Sequence, residues 1–291
     1  MISKLTTWKG IQAVELTSAT YRAVVLPEYG ANCIELVHLP TQTRIFRSPA
    51  SVQALDEAPV VYGLPILFPP NRICDGTYSF NGTTYSFPIN EPLRNHHIHG
   101  TLCSTQFIYQ GEGEFSFSAT LQEPYLQFPH PFTMLRNYEL TDDGLKHTIT
   151  VINDGDTPMP LGVGVHSTLN VPSEDFKLRI PAQKEWLMNE RFIPTEEFVA
   201  DSFWIEALQN GSVMPEQTEL CSLLEVDGCT GYLYDETRKI FFQHDVAFPF
   251  VMLWNNHGGK GFVCPEPQSW LVDAPNLKLP PEISGFHVLA P

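Results

Sequence analysis

The chain has 291 residues, 43% of them hydrophobic, and carries a formal charge of −16 from 33 acidic and only 17 basic side chains. That length and apolar content supply a sizeable core, while the lack of clustered cations excludes a phosphate-reading nucleic-acid surface and an anionic membrane surface as partners. The longest apolar run, Val246–Trp254, contains Pro249 and is too short to span a bilayer. The opening stretch MISKLTTWKG has no apolar h-region, and Cys33, Cys74, Cys103, Cys221, Cys229 and Cys264 form no C-x-x-C pair. The expectation is a cytoplasmic protein with reduced thiols.

Residues 11–38 alternate apolar and polar side chains around a turn at Pro27–Gly30, which predicts two or three strands. Residues 39–60 read as irregular, and GLPILFPPNRICDG then brings an apolar segment up to Asn71 and Arg72. In TYSFNGTTYSF two alternating stretches flank Asn81-Gly82, the preferred pair for a two-residue type I′ hairpin. Asp142-Asp143-Gly144, between FTMLRNYEL and LKHTITVIN, signals a second hairpin. Residues 174–224 are the least regular, and any helix is expected between 183 and 224. GYLYDETRKIFFQHD, AFPFVMLWNN and GFVCPEPQSW read as further strands. With 25 prolines, 19 glycines and no amphipathic helical stretch of any length, the expected fold is all-β: one large antiparallel β-sandwich over residues 1–291, with few or no helices.

Three stretches carry candidate chemistry. The first, Asn90–Gly100, reads NEPLRNHHIHG and puts His96, His97 and His99 within four residues. In a strand His97 and His99 would share a face. A metal reading lacks H-E-x-x-H or paired-cysteine spacing, so no metal is assigned, and hydrogen bonding to a polar substrate competes with a structural role for His96 or His97. The second is LGVGVHSTLN, where His166 has the most apolar setting of the ten histidines. Burial disfavours a charged imidazole, which suits proton transfer near neutrality and equally suits a core histidine bonded to backbone. GVGVHS lacks the third glycine of a dinucleotide loop. The third, VCPEPQSW, holds Glu266 between two prolines that restrict the backbone on both sides, a frame for a general base. Asn71-Arg72 offers a planar five-donor fork, and Asp227 and Asp273 read first as turn-formers. No P-loop or nucleophile elbow is present, leaving cofactor-free proton transfer.

Taken in order, NRICDGTYSFNGTTYSF, NHHIHG, LTDDGL with VINDG and MPLGVGVH, LEVDGCTGYLYD and CPEPQSWLVDAPN resemble the aldose 1-epimerase (mutarotase) family over residues 15–290 or so. The resemblance implies a galactose mutarotase-like β-supersandwich acting without a cofactor on a free aldose, as a monomer or homodimer. It implies Glu266 as the base taking the proton from the C1 hydroxyl, His166 as the acid protonating the ring oxygen, and His99 polarising that oxygen. Arg72 and Asp227, with Asn71 and His97 beside them, would hold sugar hydroxyls. Where the family commonly follows its second histidine with an aromatic residue, this chain has Ser167-Thr168-Leu169. The alternatives within the same fold are a hexose-6-phosphate mutarotase, which needs further cations at the cleft, and a sugar-binding module without catalysis.

Overall fold

The first forty-four residues build a five-stranded antiparallel sheet in chain order: β1 (Ile2–Trp8), β2 (Ile11–Thr17), β3 (Tyr21–Leu26), β4 (Asn32–His38) and β5 (Thr43–Arg44). The computed structural model describes residues 1–228 and 230–291; Cys229 lies outside the described residues. Val14, Leu16, Ala23, Val25 and Cys33 face the main core, whereas Trp8, Ala13, Val24, Leu26 and Ile34 pack on the other face against Leu55. Leu55 belongs to helix α1 (Val52–Glu57), capped by Ser51, whose hydroxyl accepts from the Ala54 N–H at 3.1 Å. Residues 39–60 are thus not wholly irregular. A helix of under two turns is too short to show a 3.6-residue period, and the sheet face it covers calls for it.

The next elements are short: β6 (Ile66–Leu67), β7 (Arg72–Cys74), the hairpin β8 (Thr77–Phe80) and β9 (Thr83–Ser86), and β10 (His96–Ile98), which pairs antiparallel with β7. Phe80 lies opposite Thr83, and both Asn81 and Gly82 have positive φ (49° and 77°), as a type I′ turn requires. Strands β11 (Ile108–Gly111), β12 (Glu114–Ala119), β13 (Phe132–Leu140) and β14 (Leu145–Asn153) form a four-stranded meander, the last two joined through Asp142-Asp143-Gly144.

After β15 (Met159–Leu161), β16 (Gly164–Val165), β17 (Leu169–Asn170) and β18 (Lys177–Arg179) come β19 (Ala182–Met188), β20 (Pro194–Val199), helix α2 (Phe203–Asn210), β21 (Cys221–Val226), β22 (Thr230–Tyr234), β23 (Lys239–Gln243), β24 (Phe250–Trp254) and β25 (Phe262–Gln268). Helix α3 (Pro281–Ser284) and β26 (His287–Leu289) follow. The eight-stranded sheet β20-β19-β21-β24-β25-β16-β6, with β17 also on β25, carries the centre of the molecule. Every pairing between named strands is antiparallel among the described residues, and the α-helices are three and short. Residues from Val14 to Ala274 share the main apolar cluster, a β-sandwich interior.

The stretch expected to be least regular holds β18, β19 and β20 as well as α2. Register shifts at Ala182/Lys184 and Trp186/Met188 interrupt the alternation of β19, because a bulge moves following side chains to the other face. Cys33, Cys74, Cys103, Cys221 and Cys264 are unpaired. Among the described residues no helix is long and apolar enough to cross a membrane.

Candidate active site

Two prolines open the site. Val263 of β25 and Ser269 just past its end turn their backbone toward the chain of β16 and β17: Leu169 lies opposite Val263, and the Ser269 N–H donates to the Val163 carbonyl. Pro265 and Pro267 fall on that same side and have no N–H, so the ladder between Gly164 and Leu169 is broken and residues 165–168 arch away. The Ser167 hydroxyl replaces the missing ladder bond by donating to the Pro265 carbonyl, and Thr168 Oγ1 contacts Cys264 Sγ at 3.4 Å. The arch is held from behind by the His166 N–H on the Pro65 carbonyl (3.0 Å) and the Thr168 N–H on the Gly63 carbonyl (2.9 Å).

His166 Nε2 consequently stands 3.1 Å from Glu266 Oε1. The two residues are 3% and 2% exposed, and Glu266 Oε2 and His166 Nδ1 have no hydrogen-bond partner among the described residues. Burial pushes the His166 imidazole down to about 4. Burial also pushes the Glu266 carboxyl well above its ordinary range, with Arg72 opposing. The pair shares one proton in the state that burial favours. Across the sheet Trp254 sets its ring edge-on to His166, centroids 5.9 Å apart at 77°. The aromatic side chain missing after His166 is therefore supplied by β24.

His99 completes the group. Its φ is +66°, so the chain leaves β10 after Ile98, and His97 and His99 do not continue one strand face. The His99 N–H donates to the Asn71 carbonyl (2.9 Å), its ring lies 5.4 Å from that of His166, and its Nδ1 is buried without a partner. Burial, with His166 and Arg72 adding, holds its imidazole well below the usual range. The following Gly100 has φ +66°, and a Cβ there would collide with the Phe68 carbonyl oxygen; glycine meets both demands. One ligand atom from each of His99, His166 and Glu266 lies within 4.8 Å of the others.

Asn71 and Arg72 stand beside this group. Asn71, at φ +55° and buried, accepts through Oδ1 from the Arg72 N–H (3.0 Å) and from Arg72 Nη1 (3.3 Å). Glu91 grips Arg72 with two bonds, Nε–Oε2 at 2.8 Å and Nη2–Oε1 at 3.0 Å, and also takes Arg94 at 3.0 Å. Both guanidinium groups sit over the Phe192 ring, at 5.1 and 4.5 Å. Glu91, Phe192, Trp254 and Ser167 join the site without standing out in the sequence as candidates. Only Ser167, next to a candidate acid, and Glu91, inside the histidine stretch, carried any local signal.

Two expected residues lie elsewhere. His97 is fully buried, spends Nδ1 on the Pro88 carbonyl at 2.7 Å and stacks on Phe87 at 5.1 Å; it packs the loop against the hairpin segment. Asp227 is exposed in the turn after β21. Leu223 is the β21 residue level with Glu266, through Met252 of β24, which leaves Asp227 four residues, ~13 Å, further along and two strands away. The structure does not bring Asp227 to the dyad. His96 gives Nε2 to the Arg191 carbonyl (3.0 Å) and is structural. Gln268, two residues after Glu266 on the same strand face, is fully buried with both amide atoms unpartnered.

The segment VDAPN clamps the strand that carries Arg72. The Asp273 N–H donates to the Arg72 carbonyl (3.0 Å), and its Oδ1 accepts from the Cys74 N–H (2.9 Å) and from Asn276 Nδ2 (2.7 Å). Burial pushes the Asp273 carboxyl up to about 6. The folded state therefore binds this proton more tightly than the unfolded chain, and stability is lost as pH rises through ~4 to ~6. Asp273→Asn keeps the Oδ1 acceptor without the charge. Relative to wild type it should gain about 2–3 kcal/mol between pH 4 and pH 7.5 in urea unfolding; a difference independent of pH would contradict this role.

Residues 12–285 match the family described as aldose 1-epimerase. A galactose mutarotase-like protein from Clostridium acetobutylicum superposes with a TM-score of 0.94 at 29% identity, over 100% of this chain and 94% of that one. Galactose 1-epimerase from Lactobacillus acidophilus NCFM shares the fold at a TM-score of 0.73 and 15% identity, over 100% and 95% of the two chains. The uncharacterised protein YihR of Escherichia coli (strain K12) is 30% identical over 191 residues, 63% of this chain; the match spans 59% of that relative's length. With its sandwich and the family match over nearly its whole length, the chain belongs to the aldose 1-epimerase family.

Proposed function

We propose that this protein interconverts the α and β anomers of a free hexose by acid–base opening and closure of the ring. The observation that carries the reading is the buried His166–Glu266 pair at 3.1 Å. In a cyclic aldose O1 and O5 are both bonded to C1, so one group must accept a proton and another donate one at two neighbouring oxygens. A donor and an acceptor one hydrogen bond apart match that spacing.

The protons balance. Glu266 takes the hydrogen of O1, the O1–C1 bond becomes a carbonyl, and the C1–O5 bond breaks with its electron pair going to O5. That oxygen takes a proton from His166, giving the open-chain aldehyde. Rotation about C1–C2 presents the other carbonyl face. O5 then attacks C1, returns its proton to His166, and O1 regains its hydrogen from Glu266. His99 donates toward O5, and Arg72 and Asn71 hold ring hydroxyls. A dry, pre-positioned pair avoids reorganising water at each transfer.

An uncharged sugar fits better than a phosphorylated one. Arg72 and Arg94 are both paired with Glu91, and Arg191 is paired with Asp75 at 2.6 Å. Each of these arginines already spends its guanidinium on a carboxylate, Glu91 serving two of them, so none stands unpaired to receive a phosphate.

Activity requires one proton on the pair, and moving it between Glu266 and His166 does not change with pH. The acid limb is a second proton entering, which burial displaces from the usual histidine range to about 4. The alkaline limb is the last proton leaving, displaced upward with Glu266. Polarimetry on fresh α-D-galactose and α-D-glucose, corrected for the spontaneous rate, should show a plateau from about pH 5 through neutrality. An acid limb near 6.5 would contradict a dry, shared-proton pair. Equal or greater activity on glucose 6-phosphate would replace the free hexose as substrate.

A further inference from the structure

We infer that His99, His166 and Glu266 also form a three-ligand site for a borderline divalent transition ion such as Zn2+, whose occupancy excludes the sugar and stops proton transfer. The exclusion clause rests on the mutarotase reading; the metal site does not.

Two imidazoles and a carboxylate are the donor set of open, three-ligand zinc sites. Here one ligand atom from each residue lies within 4.8 Å of the others. A tetrahedral ion with bonds of about 2.0–2.1 Å needs ligand atoms about 3.4 Å apart, so side-chain rotations of the order of 1 Å would close the site. A separate observation is that Glu266 Oε2 is buried without a hydrogen-bond partner among the described residues. Such a group costs stability unless something binds it. Arg72 is close to the group, but its guanidinium is turned to Glu91 by two hydrogen bonds.

The surroundings also set the strength. Dedicated sites orient each histidine by a hydrogen bond from its second ring nitrogen, and losing that partner costs about 10–100-fold in affinity. His166 Nδ1 and His99 Nδ1 have no such partner. The geometry points to a reversible, inhibitory ion in the place a sugar would take, with a fourth coordination position that the three side chains leave unfilled.

The test uses Co2+ as an optical probe on the full-length, chelator-treated protein. Wild type should bind one Co2+ per chain with visible d–d absorption of tetrahedral type. His99→Asn, chosen because asparagine tolerates positive φ, and Glu266→Gln should each weaken that binding by at least about 10-fold, and Zn2+ should displace the band. In polarimetry Zn2+ should raise the apparent KM for α-D-galactose and be reversed by chelator. No Co2+ band, or binding unchanged in both variants, overturns the inference even if mutarotation is robust. A variant-sensitive Co2+ band in a protein that turns over no sugar upholds the metal site and sinks the catalytic reading.

Discussion

Replacing Glu266 with glutamine is expected to lower the enzymatic anomerisation rate by about 10²–10⁴-fold while changing sugar affinity only a few-fold. Glutamine matches glutamate in volume and can still bond to His166 Nε2, 3.1 Å away, so the fold and the packing around the pair persist. What it cannot do is take the O1 proton. Binding can be followed independently through Trp254, whose ring stands 5.9 Å from that of His166 and should change its fluorescence when a sugar enters. Loss of turnover with retained binding is the pattern of a missing transition-state interaction. A variant that keeps more than about a tenth of wild-type kcat would mean that another group is the base.

The second large effect concerns stability. Arg136 is fully buried, and among the described residues no carboxylate pairs with it. Its guanidinium donates to the Gly30 carbonyl (2.5 Å), the Leu64 carbonyl (2.8 Å) and His147 Nε2 (3.1 Å), and lies 5.3 Å over the Tyr138 ring. Tyr138 in turn donates to the Ala31 carbonyl at 2.8 Å. His147 must stay neutral to accept that bond, and burial followed by Arg136 holds it well below its usual range. Arg136 thereby ties the Pro27–Gly30 turn to the segment that leads to Pro65, whose carbonyl holds the His166 N–H. Arg136→Met would leave a buried carbonyl, a half-buried one and an imidazole unpartnered, and should cost about 3–5 kcal/mol. Arg136→Lys should recover little, because an ammonium cannot span the three acceptors. Urea unfolding decides this; a loss under about 1 kcal/mol would show that the carbonyls find other partners.

Arg136 also shows what alternation alone can tell. In FTMLRNYEL, Phe132, Met134, Arg136, Tyr138 and Leu140 are all buried, so a strict two-residue period already points the arginine inward. The Asn81-Gly82 hairpin was legible for the same reason, since both its turn and its register are local. His166 and Glu266 could be picked out by their apolar and proline-bound settings, yet their pairing could not. It depends on Pro265 and Pro267 breaking a ladder with residues a hundred positions earlier. Trp254 and Phe192 reach the site through strand order and loop packing, which leave no local mark. The VDG stretch resembled a family motif, but Asp227 lies beyond the wrong end of β21, and only the register against β24 and β25 reveals it. His97 looked equivalent to His99 until the positive φ at His99 turned the chain out of the strand.

Whether the His166–Glu266 pair transfers protons to and from a free aldose is decided by exchange at equilibrium. In an already equilibrated solution of D-galactose or D-glucose, magnetisation transfer between the α and β H1 resonances reports interconversion with no net change in composition. Wild type should raise the exchange rate far above the blank and leave the anomer ratio untouched, while Glu266→Gln and His166→Asn should return it to the blank. If wild type binds the sugar saturably and exchange stays at the spontaneous rate for every aldose tried, the protein is a sugar-binding module and the catalytic reading fails.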